Sequence, residues 1–145
     1  MYFPDMGEEC QVGRGPEVRA VGWLDIAHPF TRGAVEPSFV EALQQHVKTA
    51  WAPFAAAGPH FCQFCPTGPG QRPAGGAGNV WIPSAHHLFI APELIVHYIT
   101  AHGYRPPDTF IEAVLACPPQ KSPEYIERLR PFYTRVYPGA DLPIP

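Results

Sequence analysis

The spacing of apolar positions changes along the chain, and each change marks an element. Residues 18–24, Val-Arg-Ala-Val-Gly-Trp-Leu, alternate enough to predict a strand. A turn-rich loop with His28-Pro29 follows, to Gly33. From Pro37, a first-turn proline, Phe39, Val40, Leu43, Val47 and Trp51 recur at three- and four-residue steps. That is the stripe of an amphipathic helix of about 14 residues, stopped by Pro53. Residues 79–82 and 87–90 read as two short strands joined by Pro83-Ser84-Ala85-His86, a hairpin. A helix is predicted to start at Pro92, with Glu93 at the positive end of its dipole, and to run through Leu94, Ile95, Tyr98 and Ile99 to His102. Gly103 is its left-handed cap. Asp108 is expected to cap a short helix over 109–116, which Pro118-Pro119 stops. Ser122-Pro123-Glu124 predicts the start of a last helix reaching Val136. Between them, residues 67–78 form a Gly/Pro-rich loop expected to be flexible, and 137–145 a Pro-rich extended tail. The whole is one α+β domain, 1–145: a small antiparallel sheet with three to four helices.

Composition narrows the function classes. The 145 residues include 20 prolines and 13 glycines, with charged residues at 16% and a net charge of −3. Such a chain is rich in rigid turns and has a modest core. The basic residues are scattered, so no electrostatic footprint for nucleic acid exists, and a protein is the expected partner. No apolar run is long enough to span a membrane. Met1-Tyr2-Phe3-Pro4-Asp5 has neither a basic nor an apolar signal region, which places the chain in the cytoplasm. There, Cys10, Cys62, Cys65 and Cys117 are expected to be free or metal-bound rather than disulfide-bonded.

Cys62-x-x-Cys65 is the sharpest local signal. A two-residue gap lets both sulfurs of a tight knuckle face one ion, and turn amides can stabilise the thiolates. Zinc takes four such ligands in a tetrahedron. The best partners for the other two places are His97 and His102, separated by four intervening residues and within the usual zinc-ligand spacing. On an ideal helix a five-residue step turns about 140°, so the rings should diverge unless the last turn frays or tightens to 3₁₀. Knuckle, hairpin and a helix bearing two histidines is a treble-clef-like order. The stretch from Cys65 to His97 is far longer than the dozen or so residues of a Cys2His2 zinc finger.

Other residues compete for the site. His60 lies two residues before Cys62, and His28 has Asp25 nearby as an acceptor for its other ring nitrogen. His86 and His87 read as surface residues, and His46 as an exposed residue on its helix. Cys10 and Cys117 have no spaced partner. Two thiolates and two imidazoles would close the shell, which favours a structural zinc over a catalytic one. Glu93, one turn before His97, could be a base but sits where a dipole partner belongs. The H-E-x-x-H and zinc-deaminase orders are absent, as are the P-loop and G-x-S-x-G. A small zinc hydrolase remains an alternative, with His28 or His60 as base beside an open metal position. So does a dithiol redox pair, although Pro66 and the glycine-rich run disfavour the helix that such a pair wants.

Three motifs in this order resemble a family of small bacterial proteins known only as a domain of unknown function: Gly22-Trp23-Leu24-Asp25 with His28-Pro29-Phe30; His60-x-Cys62-x-x-Cys65; and Ala91-Pro92-Glu93-Leu94-Ile95-x-His97-Tyr98-Ile99-x-x-His102-x-Tyr104-x-Pro106-Pro107. The similarity spans roughly 2–116. The resemblance implies no activity. It implies that His28, His60, Cys62, Cys65, His97 and His102 belong to one signature, six candidates for four places. The expectation is a non-enzymatic zinc protein, with Cys62, Cys65, His97 and His102 as ligands.

Overall fold

A computed structural model describes residues 1–51 and 59–142. Pro53, expected to stop the first helix, and the last three residues of the tail lie outside the described residues. The main sheet has three strands, β3 (Val18–Ala20), β7 (Leu88–Pro92) and β6 (Asn79–Pro83), in that spatial order. Around it lie four helices, α1 (Pro37–Lys48), α2 (Ile95–His102), α3 (Asp108–Ala116) and α4 (Pro123–Val136). A small N-terminal ladder pairs β1 (Glu9–Cys10) with β2 (Gly13–Arg14), and β4 (His60–Phe61) pairs with β5 (Gly75–Gly76). The architecture is α+β.

β6 and β7 are the expected hairpin, antiparallel, with Trp81 opposite Ile90 and Ile82 opposite Phe89. Its turn is closed by Ser84, whose hydroxyl donates to the His87 carbonyl at 2.8 Å. Every residue of both strands is buried. Alternate side chains go to opposite faces. Val80, Ile82, Phe89 and Ala91 join the core under α1, α2 and α3, while Trp81, Leu88 and Ile90 join a second core under α4. The sheet is therefore covered on both sides.

In one respect the sheet differs from the antiparallel expectation. β3 runs parallel to β7, Val18 beside Leu88 and Ala20 beside Ile90. A tight turn dictates antiparallel pairing, but β3 reaches β7 only after a long excursion that includes α1. Such a crossover leaves the direction free. The Trp23 indole donates to the Ile90 carbonyl at 2.9 Å and fixes the end of this pairing.

Several element boundaries also move, and β3 ends at Ala20 rather than at Leu24. α2 begins at Ile95 rather than Pro92, because Pro92 is the last residue of β7 and sits opposite Asn79. α1 ends at Lys48 with Thr49 as its cap, short of Trp51. Asp108 is the first residue of α3, not its cap, and accepts from Arg105 at 2.6 Å. α4 matches its signal: Ser122 Oγ accepts the Tyr125 amide at 3.2 Å and Pro123 opens the helix. The second half of the Gly/Pro loop contributes β5, and Tyr137 in the tail donates to the Val12 carbonyl and stacks on Trp81. Among the described residues, no helix is long and apolar enough to cross a membrane.

Candidate metal centre

The knuckle is held by a two-stranded ladder. His60 and Phe61 pair with Gly76 and Gly75, and the Cys62 amide continues the pairing to Ala74 at 2.8 Å. Two glycines are needed because the partner strand is clasped closely. A methyl on Gly75 would meet the Phe61 ring, and one on Gly76 would overlap the Glu93 carboxylate. Glu93 thus lies ahead of α2, which starts at Ile95, and is tied to the glycine-rich strand. Its Oε1 accepts the Gly78 amide at 3.1 Å, and its own amide donates to the Gly78 carbonyl at 3.0 Å. Beyond the ladder the chain turns through Gln63 and Phe64. The amides of Phe64 and Cys65 point at the Cys62 sulfur, the arrangement that stabilises a knuckle thiolate.

α2 supplies the other side. It stays α-helical to His102 and is closed by Gly103 in the left-handed region, φ 72°. No frayed or tightened turn is needed. The two imidazoles converge through their side chains, Nε2 to Nε2 at 3.2 Å, with ring centroids 4.9 Å apart and planes at 79°. His97 Nε2 lies 3.2 Å from Cys65 Sγ. His102 Nε2 lies 3.3 Å from Cys62 Sγ and 3.7 Å from Cys65 Sγ. One ligand atom from each of the four residues falls within 4.8 Å of all the others, the one such group among the described residues.

These four separations match edges of a coordination tetrahedron, and the other two pairs lie within 4.8 Å. Metal–sulfur bonds near 2.3 Å and metal–nitrogen bonds near 2.0 Å put S···N edges at about 3.5 Å and the N···N edge at about 3.3 Å. The donor set therefore fits a single tetrahedral ion. The protonation chemistry points the same way. Burial lowers the His97 pKa, with His102 adding to it, which favours the neutral ring that a metal requires. Burial raises the Cys62 thiol, so a cation is needed to hold it as a thiolate.

The loop after β3 packs over this centre. The Ile26 amide donates to Gln63 Oε1 at 2.9 Å. Phe30 meets the Phe64 ring edge-on at 5.2 Å and Tyr104 at 6.0 Å. Arg32 lies over Phe30, 4.3 Å from its centroid, and donates to the His102 carbonyl at 2.7 Å, satisfying the end of α2. The first sequence motif thus braces the Cys62/Cys65/His97/His102 group and contributes no residue to it.

The competing histidines are elsewhere. His28 is exposed, bonded through Nδ1 to Asp25 at 2.7 Å and stacked on Tyr2 at 3.8 Å. His60 bonds to Gln11. Neither belongs to the four-residue group. His86 is exposed and His87 half-buried. His46, expected on the surface, is buried at 7% exposure: it lies between Val114 and Gln120. Cys10 and Cys117 are free thiols whose pKa values burial raises to about 11 and about 12. Sequence reasoning missed Asp5, which accepts the Gly22 amide at 3.0 Å and the Tyr104 hydroxyl at 2.7 Å, and it missed Gln63 as the clasp on the loop. A lone aspartate in an irregular segment gives no signal. Gln63, set between the two cysteines, was open to suspicion by position.

An α+β domain with a tetrahedral two-cysteine, two-histidine cluster is thus the class of protein defined by fold and site. The chain belongs to the family described as domain of unknown function DUF7919, whose profile matches residues 1–115. That span contains the whole cluster and ends within α3. No curated protein and no solved structure matches the chain.

Proposed function

We propose that this is a zinc protein with a structural Cys62/Cys65/His97/His102 site, serving as a protein-interaction module. The observation that carries the zinc reading is the set of four donor atoms at tetrahedral edge distances. A two-sulfur, two-nitrogen tetrahedron selects zinc over harder ions, which prefer oxygen. With all four places filled by protein, no position is left for a reacting water. The hydrolase alternative needs His28 or His60 beside the ion, and both bond away from it. The ion then pins the knuckle, α2 and the 25–33 loop together, and the surface they build is what is presented to a partner. The net charge of −3 and scattered basic residues favour a protein partner over nucleic acid.

Elemental analysis of the tag-free protein tests this. One zinc per chain is expected. Cys62→Ser, Cys65→Ser, His97→Ala and His102→Ala should each lose it, and His28→Ala and His60→Ala should keep it. Cobalt exchange should give the intense visible absorption of a tetrahedral thiolate site. A metal-free parent protein would overturn the reading. A zinc retained without His102 would move weight to the open-site hydrolase.

A further inference from the structure

Beside the metal knuckle is a cavity of about 260 Å³ between the N-terminal segment, β4 and α2. Trp23, Leu24, Pro92 and Leu94 wall it, all buried. Tyr98 also lines it, and that side chain is only 4% exposed. Its hydroxyl makes no hydrogen bond to any described residue, and it is not sealed from solvent. A buried tyrosine ordinarily satisfies its O–H. Here the donor is left for something that enters the cavity. At the rim, Gln63 spends its carbonyl oxygen on the Ile26 amide, which leaves its –NH₂ as a second donor.

The surface around the mouth is also unusual. Among the described residues, the exposed large apolar side chains are Met1, Ile26, Phe61 and Leu115. Met1 and Phe61 line this cavity, and Ile26 is bonded to Gln63 on its rim. Apolar side chains gathered around a pocket mark a contact surface rather than scattered exposure. The cavity is below the roughly 300–1,000 Å³ usual for drug-sized ligands, and it suits one large apolar side chain.

We propose that this cavity is the docking point for a partner protein: it takes a leucine- or phenylalanine-sized side chain of an exposed segment, whose backbone carbonyl accepts from Tyr98. The proposal rests on the interaction reading above and names where that interaction is made. The donors supply what a peptide carbonyl lacks once desolvated, and the apolar walls supply the anchor. Because Gln63 lies between the two metal-cluster cysteines and Tyr98 next to His97, the cluster holds both donors in place.

The test uses the metal-loaded protein, titrated with N-acetyl methylamides of leucine, phenylalanine and alanine and followed by amide NMR. Saturable shifts are expected for the leucine and phenylalanine probes at Trp23, Leu24, Phe61, Gln63, Leu94 and Tyr98, with none for alanine. Tyr98→Phe keeps the ring and should weaken binding about tenfold. Phe61→Ser, on the exposed rim, should also weaken it. Unsaturable or scattered shifts would overturn the proposal, as would unchanged affinity in Tyr98→Phe. Toluene, which has a ring and no carbonyl, should bind less tightly than the phenylalanine probe. Equal binding would mean a pocket for small apolar molecules and would overturn peptide docking. Metal content measured on the same samples separates the two readings: no binding at full metal loading fails the cavity alone, and binding without metal fails the zinc site alone.

Discussion

The His46 imidazole is held in one tautomer from both sides. Its Nε2–H donates to the Val114 carbonyl, and its Nδ1 accepts from Gln120, each at 3.3 Å. A second proton would set two donors against each other in a buried site. Burial lowers its pKa by penalising the charged ring, with the Val114 carbonyl opposing the shift, and burial likewise lowers those of His60, His87 and His97. With the folded pKa below the unfolded value of about 6.5, the unfolded chain binds more protons in that window, so stability falls as pH drops through it. Urea unfolding from pH 7.5 to 5 should show this loss, and His46→Gln should make it shallower. The position was readable: Phe39, Leu43 and His46 lie on one helical stripe, and all three are buried. The exposed reading of His46 fails because a polar residue on an apolar stripe is carried into the core with its neighbours. Asp5 and Tyr104 make the opposite case, since 99 positions separate them and no local pattern links them. Tyr104→Phe would leave the half-buried Asp5 carboxyl without its side-chain donor, and thermal unfolding should show a loss of roughly 1–3 kcal/mol.

At the level of elements, local chemistry was legible and distant pairing was not. The Ser122-Pro123 start of α4, the Gly103 stop of α2 and the hairpin turn each depend on neighbours a few residues away, and each was read from the sequence. The parallel seating of β3, and the capture of Pro92 by the sheet, depend on partners far along the chain. Cys62 and Cys65 were identifiable because a knuckle has a fixed spacing, and His97 and His102 stood out among the competing histidines by their own spacing. The manner in which His97 and His102 meet was not, because side-chain reach overrides the angle expected from the helix. The β4–β5 ladder makes its own prediction. Gly76→Ala would displace Glu93, loosen the ladder and misplace Cys62. Competition with a chromophoric chelator should show metal affinity reduced on the order of tenfold, the range seen when groups that orient ligands are disturbed. Glu93→Gln keeps an acceptor for the Gly78 amide and should be milder.

The molecule as a whole has two cores on one sheet. The core under α1, α2 and α3 includes Cys62 and packs against Cys65. The core under α4 is built on Trp51, Trp81, Tyr125 and Tyr133, and no cluster ligand belongs to it. Trp51 and Trp81 meet edge-to-face at 5.6 Å, and the Tyr125 hydroxyl donates to the Trp81 carbonyl at 2.8 Å. Removing the metal should therefore act unevenly. Hydrogen exchange after chelation should speed up first at residues 60–65 and 95–104, while β6 and α4 keep their protection longest. Equal loss across both faces would show the two cores to be one cooperative unit.

The parallel partnership of β3 and β7 has a kinetic consequence. Those strands must find each other across some seventy residues of chain, and loop closure over such a distance is a slow step in folding. Of the four candidate ligands, Cys62 and Cys65 lie inside that interval and His97 and His102 a few residues past its end, with Cys62 and His102 forty positions apart. On the zinc reading, an ion that gathered them in the unfolded chain would draw the knuckle to α2 and its neighbour β7 before the sheet exists and would shorten the remaining search. Zinc should then raise the refolding rate as well as slow unfolding, so that the ion acts as a guide to assembly and not only as a fastener of the finished fold.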